Sequence, residues 1–135
     1  IRHVFTVSTL RYLIKGGRLS KWKGTAGELL DMKPVLIVDK DGSLQVLKTI
    51  RGRKKSLKAL IEYAQENIAD PSRQIMGICH GEDPDSLQYT KGLLLQVISP
   101  KELVESTIGC AIGAHTGRGI IGIVFFDAMD DEFQI

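Results

Sequence analysis

Three segments of the 135-residue chain combine residue types that can bind an anion or do chemistry. Residues 16–20 place Arg18 between a Gly-Gly pair and a serine. Residues 48–55 are rich in lysine and arginine, and residues 109–119 are rich in glycine around His115. A guanidinium, a cationic cluster and a glycine-rich loop with an imidazole can each bind an anionic group, so anion binding is the chemistry these segments share.

Arg18 carries a planar fork of donors that matches a carboxylate or a phosphate. If its side chain is partly buried, it needs an anion or several carbonyl and hydroxyl groups to offset the loss of hydration. The pattern alone favours a plainer interpretation, a surface arginine that bonds to a helix end. Both interpretations remain open from the residues.

The segment 109–119 has glycines that allow close backbone approach and positive φ, next to His115 and Thr116. No Gly-Lys-Ser/Thr follows, so it is not a Walker loop, and its glycines precede a strand, unlike a dinucleotide fingerprint. His115 has no neighbours at metal-ligand spacing, and neither a nucleophile nor an orienting acid is evident. The pattern therefore favours a structural histidine that caps backbone groups, and it predicts no metal site.

The basic cluster lies where a strand is predicted to lead into a helix. Cations at a helix start oppose the helix dipole, which favours an acidic partner surface or a phosphate over a merely solvated helix start. A nucleic-acid role is weakly supported because the cluster is short and has no aromatic neighbours. The five cations are Lys48, Arg51, Arg53, Lys54 and Lys55.

Apolar spacing predicts alternating strands and helices that position these segments. Strands are expected at residues 4–7, 34–38, 44–50, 75–79, 103–108 and 120–126, and helices at residues 9–15, 21–30, 54–68 and 84–98. Ser8, Ser20 and Asp83 are the expected helix caps, Asp41-Gly42 the hairpin turn, and 109–119 a bend. The pattern predicts one α/β domain over residues 1–135, with two layers and a mixed sheet of about six strands.

Composition narrows the class of protein. The chain is 43% hydrophobic and 25% charged with a net charge of +2, and it has no apolar run of the ~20 residues that a membrane span needs. Cys79 and Cys110 lie in apolar stretches without metal spacing, which predicts two buried free thiols in a reducing cytoplasm. The chain has no initiator Met and begins in a strand-like run, so we expect it to be cut from a longer chain.

Taken in order, the segments resemble the DegV family. Residues 5–13 followed by 16–20 resemble its strand, helix and Gly-Gly-Arg signature, and residues 31–36 resemble its "N-I-K-P-I-L" strand. Residues 51–55 resemble its arginine-rich junction, and residues 112–117 resemble its terminal "G-T-H-T-G-P-G" loop. The resemblance covers nearly the whole chain.

This resemblance implies the C-terminal domain of a bacterial, cytoplasmic two-domain protein with a DegV/dihydroxyacetone-kinase-like fold and helices on one face of its sheet, the N-terminal domain being absent. Such proteins are fatty-acid carriers, not enzymes, and the expected ligand is a long-chain fatty acid with no cofactor. Carried over by motif, Arg18 and His115 would support the carboxylate, with Thr116 and Gly113 in the same loop. Arg51 or Arg53 would lie where a fatty acid kinase docks.

Two departures and two rival functions accompany the resemblance. Cys110 and Arg118 stand where the family's loop usually carries prolines, and Arg118 adds a charge at the loop tip. One rival is a phosphotransferase-related substrate-binding domain in which His115 bonds covalently to a small ketone. The other is a nucleic-acid-binding module built on residues 48–55.

Overall fold

Six strands form one mixed sheet in the computed structural model, which describes residues 1–19 and 32–128. The strands are β1 (Arg2–Thr6), β2 (Met32–Val38), β3 (Leu44–Arg51), β4 (Ile75–His80), β5 (Glu102–Thr107) and β6 (Ile121–Phe125). The helices are α1 (Arg11–Lys15), α2 (Arg53–Asn67), α3 (Pro84–Val97) and α4 (Cys110–Thr116), and a 3₁₀ turn covers Pro71–Arg73.

The strand order is β3-β2-β1-β6-β4-β5. All neighbouring strands run antiparallel except β4 and β5, which are parallel because α3 crosses over between them. The hairpin between β2 and β3 closes at Gly42, whose φ of +82° requires a residue that tolerates the left-handed region. The predicted mixed α/β architecture is confirmed.

The long helices α2 and α3 cover one face of the sheet. Residues spaced along α2, such as Leu57, Leu60 and Ala64, are buried against Val4 of β1 and Ile123 of β6. Each fully buried leucine, isoleucine or valine side chain in this core stabilises the fold by roughly 1.5–3 kcal/mol relative to exposure. The apolar helix face and the alternation within the strands therefore account for the main core.

The two testable helix caps gave different outcomes. The Asp83 carboxylate accepts a hydrogen bond from the Ser86 N–H at 3.1 Å and caps α3, as predicted. The Ser8 cap is wrong, because α1 begins only at Arg11 and has no side-chain cap from its N-cap residue. A cap must directly precede the first turn, and Ser8 lies too far upstream.

Among the residues that the structure describes, the opposite face of the sheet is only partly covered. The short helix α1 and α4 pack together at one end of it, over a second cluster formed by Phe5, Val7, Leu10, Leu13, Leu19, Leu36 and Ile120. Residues 109–119 were predicted as a bend, and that prediction is wrong because α4 lies within them. The glycines of this segment favoured the prediction of a bend, but α4 forms two turns and is followed by Gly117 as its C-cap, where φ is +72°.

The cysteines correct another prediction. Cys110 is exposed at the start of α4, and Cys79 on β4 is half-buried, so they are not two buried core thiols. The predicted helix 21–30, with its Ser20 cap, lies outside the described residues. Within the described part of the chain, no helix is long and apolar enough to cross a membrane.

Candidate functional site

An apolar groove of about 560 Å³ lies on the partly covered face of the sheet. Its sheet wall includes His3, Phe5, Val38, Cys79, Gly122 and Val124. Its other wall includes Leu13, Ile108, Ala111, Ile112, His115 and Thr116. This volume lies in the range of roughly 300–1,000 Å³ typical of small-molecule sites, and the mainly hydrocarbon walls suit an apolar ligand.

The floor of the groove follows from strand alternation. Val4 and Ile123 point to the main core, so their neighbours Phe5, Gly122 and Val124 face the opposite side of the sheet. Gly122 contributes no side chain, and Phe5, Cys79 and Val124 present carbon and sulfur atoms. This part of the floor therefore suits the apolar part of a ligand, while His3 adds an imidazole to the same wall.

Arg18 and His115, which sequence reasoning selected from opposite ends of the chain, both line this groove. They meet at Gly16. The Arg18 guanidinium donates a hydrogen bond from Nη1 to the Gly16 carbonyl oxygen at 2.8 Å, and the His115 ring lies against the Gly16 backbone. Arg18 is thus exposed and bonded to a helix end, while it also borders the groove.

Glycine is required where α1 meets α4. A Cβ at residue 16 would collide with Nδ1 of His115, and a Cβ at Gly117 would lie 2.6 Å from Cδ2 of the Tyr12 ring. The Gly-Gly-Arg segment and the His-Thr-Gly segment are therefore two sides of one tight contact. This contact holds the His115 ring against Gly16, whose carbonyl oxygen accepts the hydrogen bond from Arg18.

The other two predicted lipid-binding residues are separated by the structure. Thr116 is buried and lines the groove, and its hydroxyl donates to the Ile112 carbonyl oxygen at 3.0 Å. Gly113 instead lines a neighbouring depression with His80 and Arg118. Because Gly113 lies on another side of α4, a role in lipid binding stays a prediction that the groove does not support.

Arg53 belongs to the scaffold of the fold. Its guanidinium forms an ion pair with Asp83 at 2.9 Å and donates to the Gly119 carbonyl oxygen, and the side chain is only 22% exposed. It therefore ties the start of α2 to α3 and to the turn after α4. Arg51, at the end of β3, is exposed. At the same turn, exposed Arg118 forms an ion pair with Glu82 at 2.6 Å.

The titratable groups of the groove floor favour their neutral forms. Burial lowers the pKa of His3 and raises the pKa of the Cys79 thiol. Among the described residues that line the groove, Arg18 carries the permanent charge. The groove thus combines a mainly apolar lining with one permanent positive charge at Arg18, an arrangement that suits a molecule with an apolar tail and an anionic head.

Sequence reasoning missed the floor residues His3, Phe5, Cys79, Gly122 and Val124. The available signal was Gly122 within an otherwise buried apolar strand. A glycine in a strand interior often marks a place where a ligand or another backbone approaches closely.

The fold is an α/β domain with α2 and α3 on one face of the sheet and an apolar groove on the other. The family model described as "Uncharacterised protein, DegV family" matches residues 1–128. The chain belongs to the DegV family.

Relatives and solved structures agree with this assignment. A DegV domain-containing protein of Clostridium acetobutylicum is 34% identical over 126 residues, which are 93% of this chain and 45% of that protein. The crystal structure of a fatty acid binding DegV family protein from Streptococcus agalactiae is 30% identical with a TM-score of 0.78, covering 90% of this chain and 43% of that one.

A second solved structure shares the fold. The Fatty Acid Kinase (Fak) B3 protein of Streptococcus pneumoniae, loaded with linoleic acid, has a TM-score of 0.77 at 20% identity, covering 90% of this chain and 43% of that one. The chain spans less than half the length of each of these three proteins.

Proposed function

We propose that this segment forms one wall of a fatty-acid-binding site, with the acyl tail in the apolar groove and the carboxylate beside Arg18 and His115. The observation that carries the proposal is the position of these two side chains along one apolar groove. The Streptococcus agalactiae relative, described as fatty acid binding, supports the choice of ligand.

The energetics of such a ligand divide between its two ends. Each methylene transferred from water into the groove contributes about 0.8 kcal/mol, so a long tail can outweigh the cost of ordering the complex. A carboxylate left without partners in a buried site would be costly. In this proposal the tail supplies affinity, and Arg18 offsets the charge of the head and sets its orientation.

The proposed role is that of a carrier and not of an enzyme. Arg18 is exposed although it borders the groove, so a carboxylate beside it would lie near the surface, where another protein could reach it. We propose that the bound acid is presented to a fatty acid kinase in the cytoplasm, as the name of the pneumococcal protein of similar fold suggests.

The second wall of the proposed fatty-acid site would come from outside this segment. Ile112 lines the groove and is 54% exposed, so an acyl chain seated here would keep water-facing surface unless another element covered it. Because relatives extend well beyond the matched segment, we propose that their additional domain supplies this cover and further partners for the carboxylate.

The test of the head-group role uses the intact gene product and the substitution Arg18→Ala. Loss of a hydrogen bond between charged groups, worth roughly 1.5–3 kcal/mol, should weaken fatty-acid binding about ten- to a hundredfold. Arg11→Ala removes another exposed arginine, on α1, and should leave binding unchanged. Equal binding by Arg18→Ala and wild type, measured by mass spectrometry of extracted lipid, would contradict the proposal.

A separate experiment tests kinase docking. Arg51→Glu should lower the rate of acyl phosphorylation severalfold by opposing an acidic kinase surface, with the bound lipid unchanged. Lys40→Glu, an exposed lysine at the hairpin turn, is the matched control. Arg53 is left intact because its ion pair with Asp83 holds the fold. Loss of lipid from Arg51→Glu would refute this division of roles.

A further inference from the structure

Gly122 and Cys79 lie side by side on the groove floor. Gly122 on β6 pairs with Phe5 on β1 and with Cys79 on β4, so these three residues form one row across three neighbouring strands. All three line the groove. Gly122, in the middle of the row, has no side chain, which leaves a notch between the Cβ of Phe5 and the thiol of Cys79.

The notch is narrow. A Cβ at residue 122 would lie 3.0 Å from the Cys79 Sγ and 3.5 Å from the Phe5 Cβ. The backbone itself does not require glycine there, because Gly122 does not adopt a left-handed φ. Glycine in a strand interior weakens the strand, and the close approach of the Cys79 thiol beside the groove is a physical reason for its presence.

Gly77 provides the contrast. It lies on β4, two residues before Cys79 and thus on the same face of the sheet, but it does not line the groove. A Cβ added to Gly77 would meet only Val124, at an ordinary 3.5 Å. Gly122 therefore borders the groove, whereas Gly77 does not.

We infer that Gly122 and Cys79 set the depth of the groove floor and thereby select the length of the acyl chain that the protein binds. This inference rests on the proposed function. A methyl group at residue 122 raises the floor and leaves less volume for the tail. Removal of the sulfur at residue 79 lowers the floor and leaves more. The two substitutions must therefore shift chain-length preference in opposite directions, which a general loss of stability cannot do.

The experiment offers the intact protein an equimolar mixture of straight-chain saturated fatty acids of graded length. Bound acids are extracted and quantified by mass spectrometry for wild type, Gly122→Ala, Cys79→Ala, the double variant and Gly77→Ala. Since one methylene in an apolar site changes discrimination roughly tenfold or more, Gly122→Ala should shift the short-to-long ratio about tenfold toward short chains. Cys79→Ala should shift it toward long chains, and the double variant should fall between them.

The results separate two failures. Unchanged profiles, or shifts of both single variants in the same direction, overturn the role of the floor while fatty-acid binding stands. Wild-type protein that binds none of the acids overturns the proposed function itself. If Gly122→Ala does not fold, Cys79→Ala decides alone, because it removes an atom from the floor without creating a collision. Gly77→Ala should keep the wild-type profile.

Discussion

Substituting Gly16 by alanine tests how the polar end of the groove is built. The new Cβ would collide with Nδ1 of His115 and approach the Tyr12 carbonyl oxygen to 3.1 Å. The backbone cannot readily move away, since the Gly16 N–H donates to that same carbonyl at 2.8 Å. His115 must therefore leave its position beside Arg18.

The magnitude follows from two opposing effects. Overpacking of a tight contact costs about 1–3 kcal/mol, whereas replacing glycine by alanine stabilises by about 0.4–1 kcal/mol through the unfolded state. The free energy of unfolding should fall by roughly 1–2 kcal/mol, and fatty-acid affinity should fall roughly tenfold because the imidazole is displaced. Urea unfolding and lipid titration of the intact protein measure both quantities.

The same substitution in a His115→Ala variant tests whether the collision with the imidazole causes the destabilisation. In His115→Ala protein the same Gly16→Ala change should be neutral or slightly stabilising, because the ring it collides with is gone. Gly92→Ala, in the middle of α3 with open space around its Cβ, should stabilise by about 1 kcal/mol and leave lipid binding alone. Equal destabilisation by Gly16→Ala with and without the imidazole would refute the proposed contact.

Three further predictions address the scaffold and the chemistry. Burial raises the pKa of Asp83, but hydrogen bonds from Ser86 and Arg53 outweigh burial and hold that pKa below its usual value. The contribution of Asp83 to stability should therefore be present above the normal carboxyl pKa and lost as the pH falls through the folded value. An Asp83→Asn variant with an unchanged acid-unfolding profile would contradict this. Phe125→Ala should lower the free energy of unfolding by about 3–5 kcal/mol, since this ring is buried in the main core, and a loss below 1 kcal/mol by urea unfolding would be inconsistent with that packing. The carrier role predicts an unmodified His115 by intact mass after incubation with a small ketone, whereas a covalent adduct would favour the phosphotransferase-related alternative.

Local patterns in the sequence were enough to predict most of the fold. The continuous apolar run of β6 predicts a buried strand, and the helical spacing of apolar residues in α2 predicts a helix that buries one face. The Asp83–Pro84 start of α3 was predictable because the cap bonds locally. The helix within residues 109–119 was not, because three of its flanking or internal residues are glycines and its stability comes from packing on α1.

The site was predicted only in part, for a physical reason. The family motifs identified Arg18 and His115 as candidates, but their meeting at Gly16 is a tertiary contact that neither segment encodes alone. The groove floor depends on the register among three strands, which pairs Phe5 and Cys79 with Gly122. Arg53 looked like a docking residue in the sequence, and its ion pair with Asp83 becomes visible only in the fold.

A crystal structure of the intact protein with a fatty acid brominated at its terminal carbon tests the central claim most directly. The anomalous signal of bromine locates the tail, and the electron density locates the carboxylate. Bromine should lie within the groove lined by Phe5, Cys79 and Gly122, and the carboxylate should lie within hydrogen-bond distance of Arg18 or His115. Bromine outside this groove, or a carboxylate remote from both side chains, would contradict the central claim.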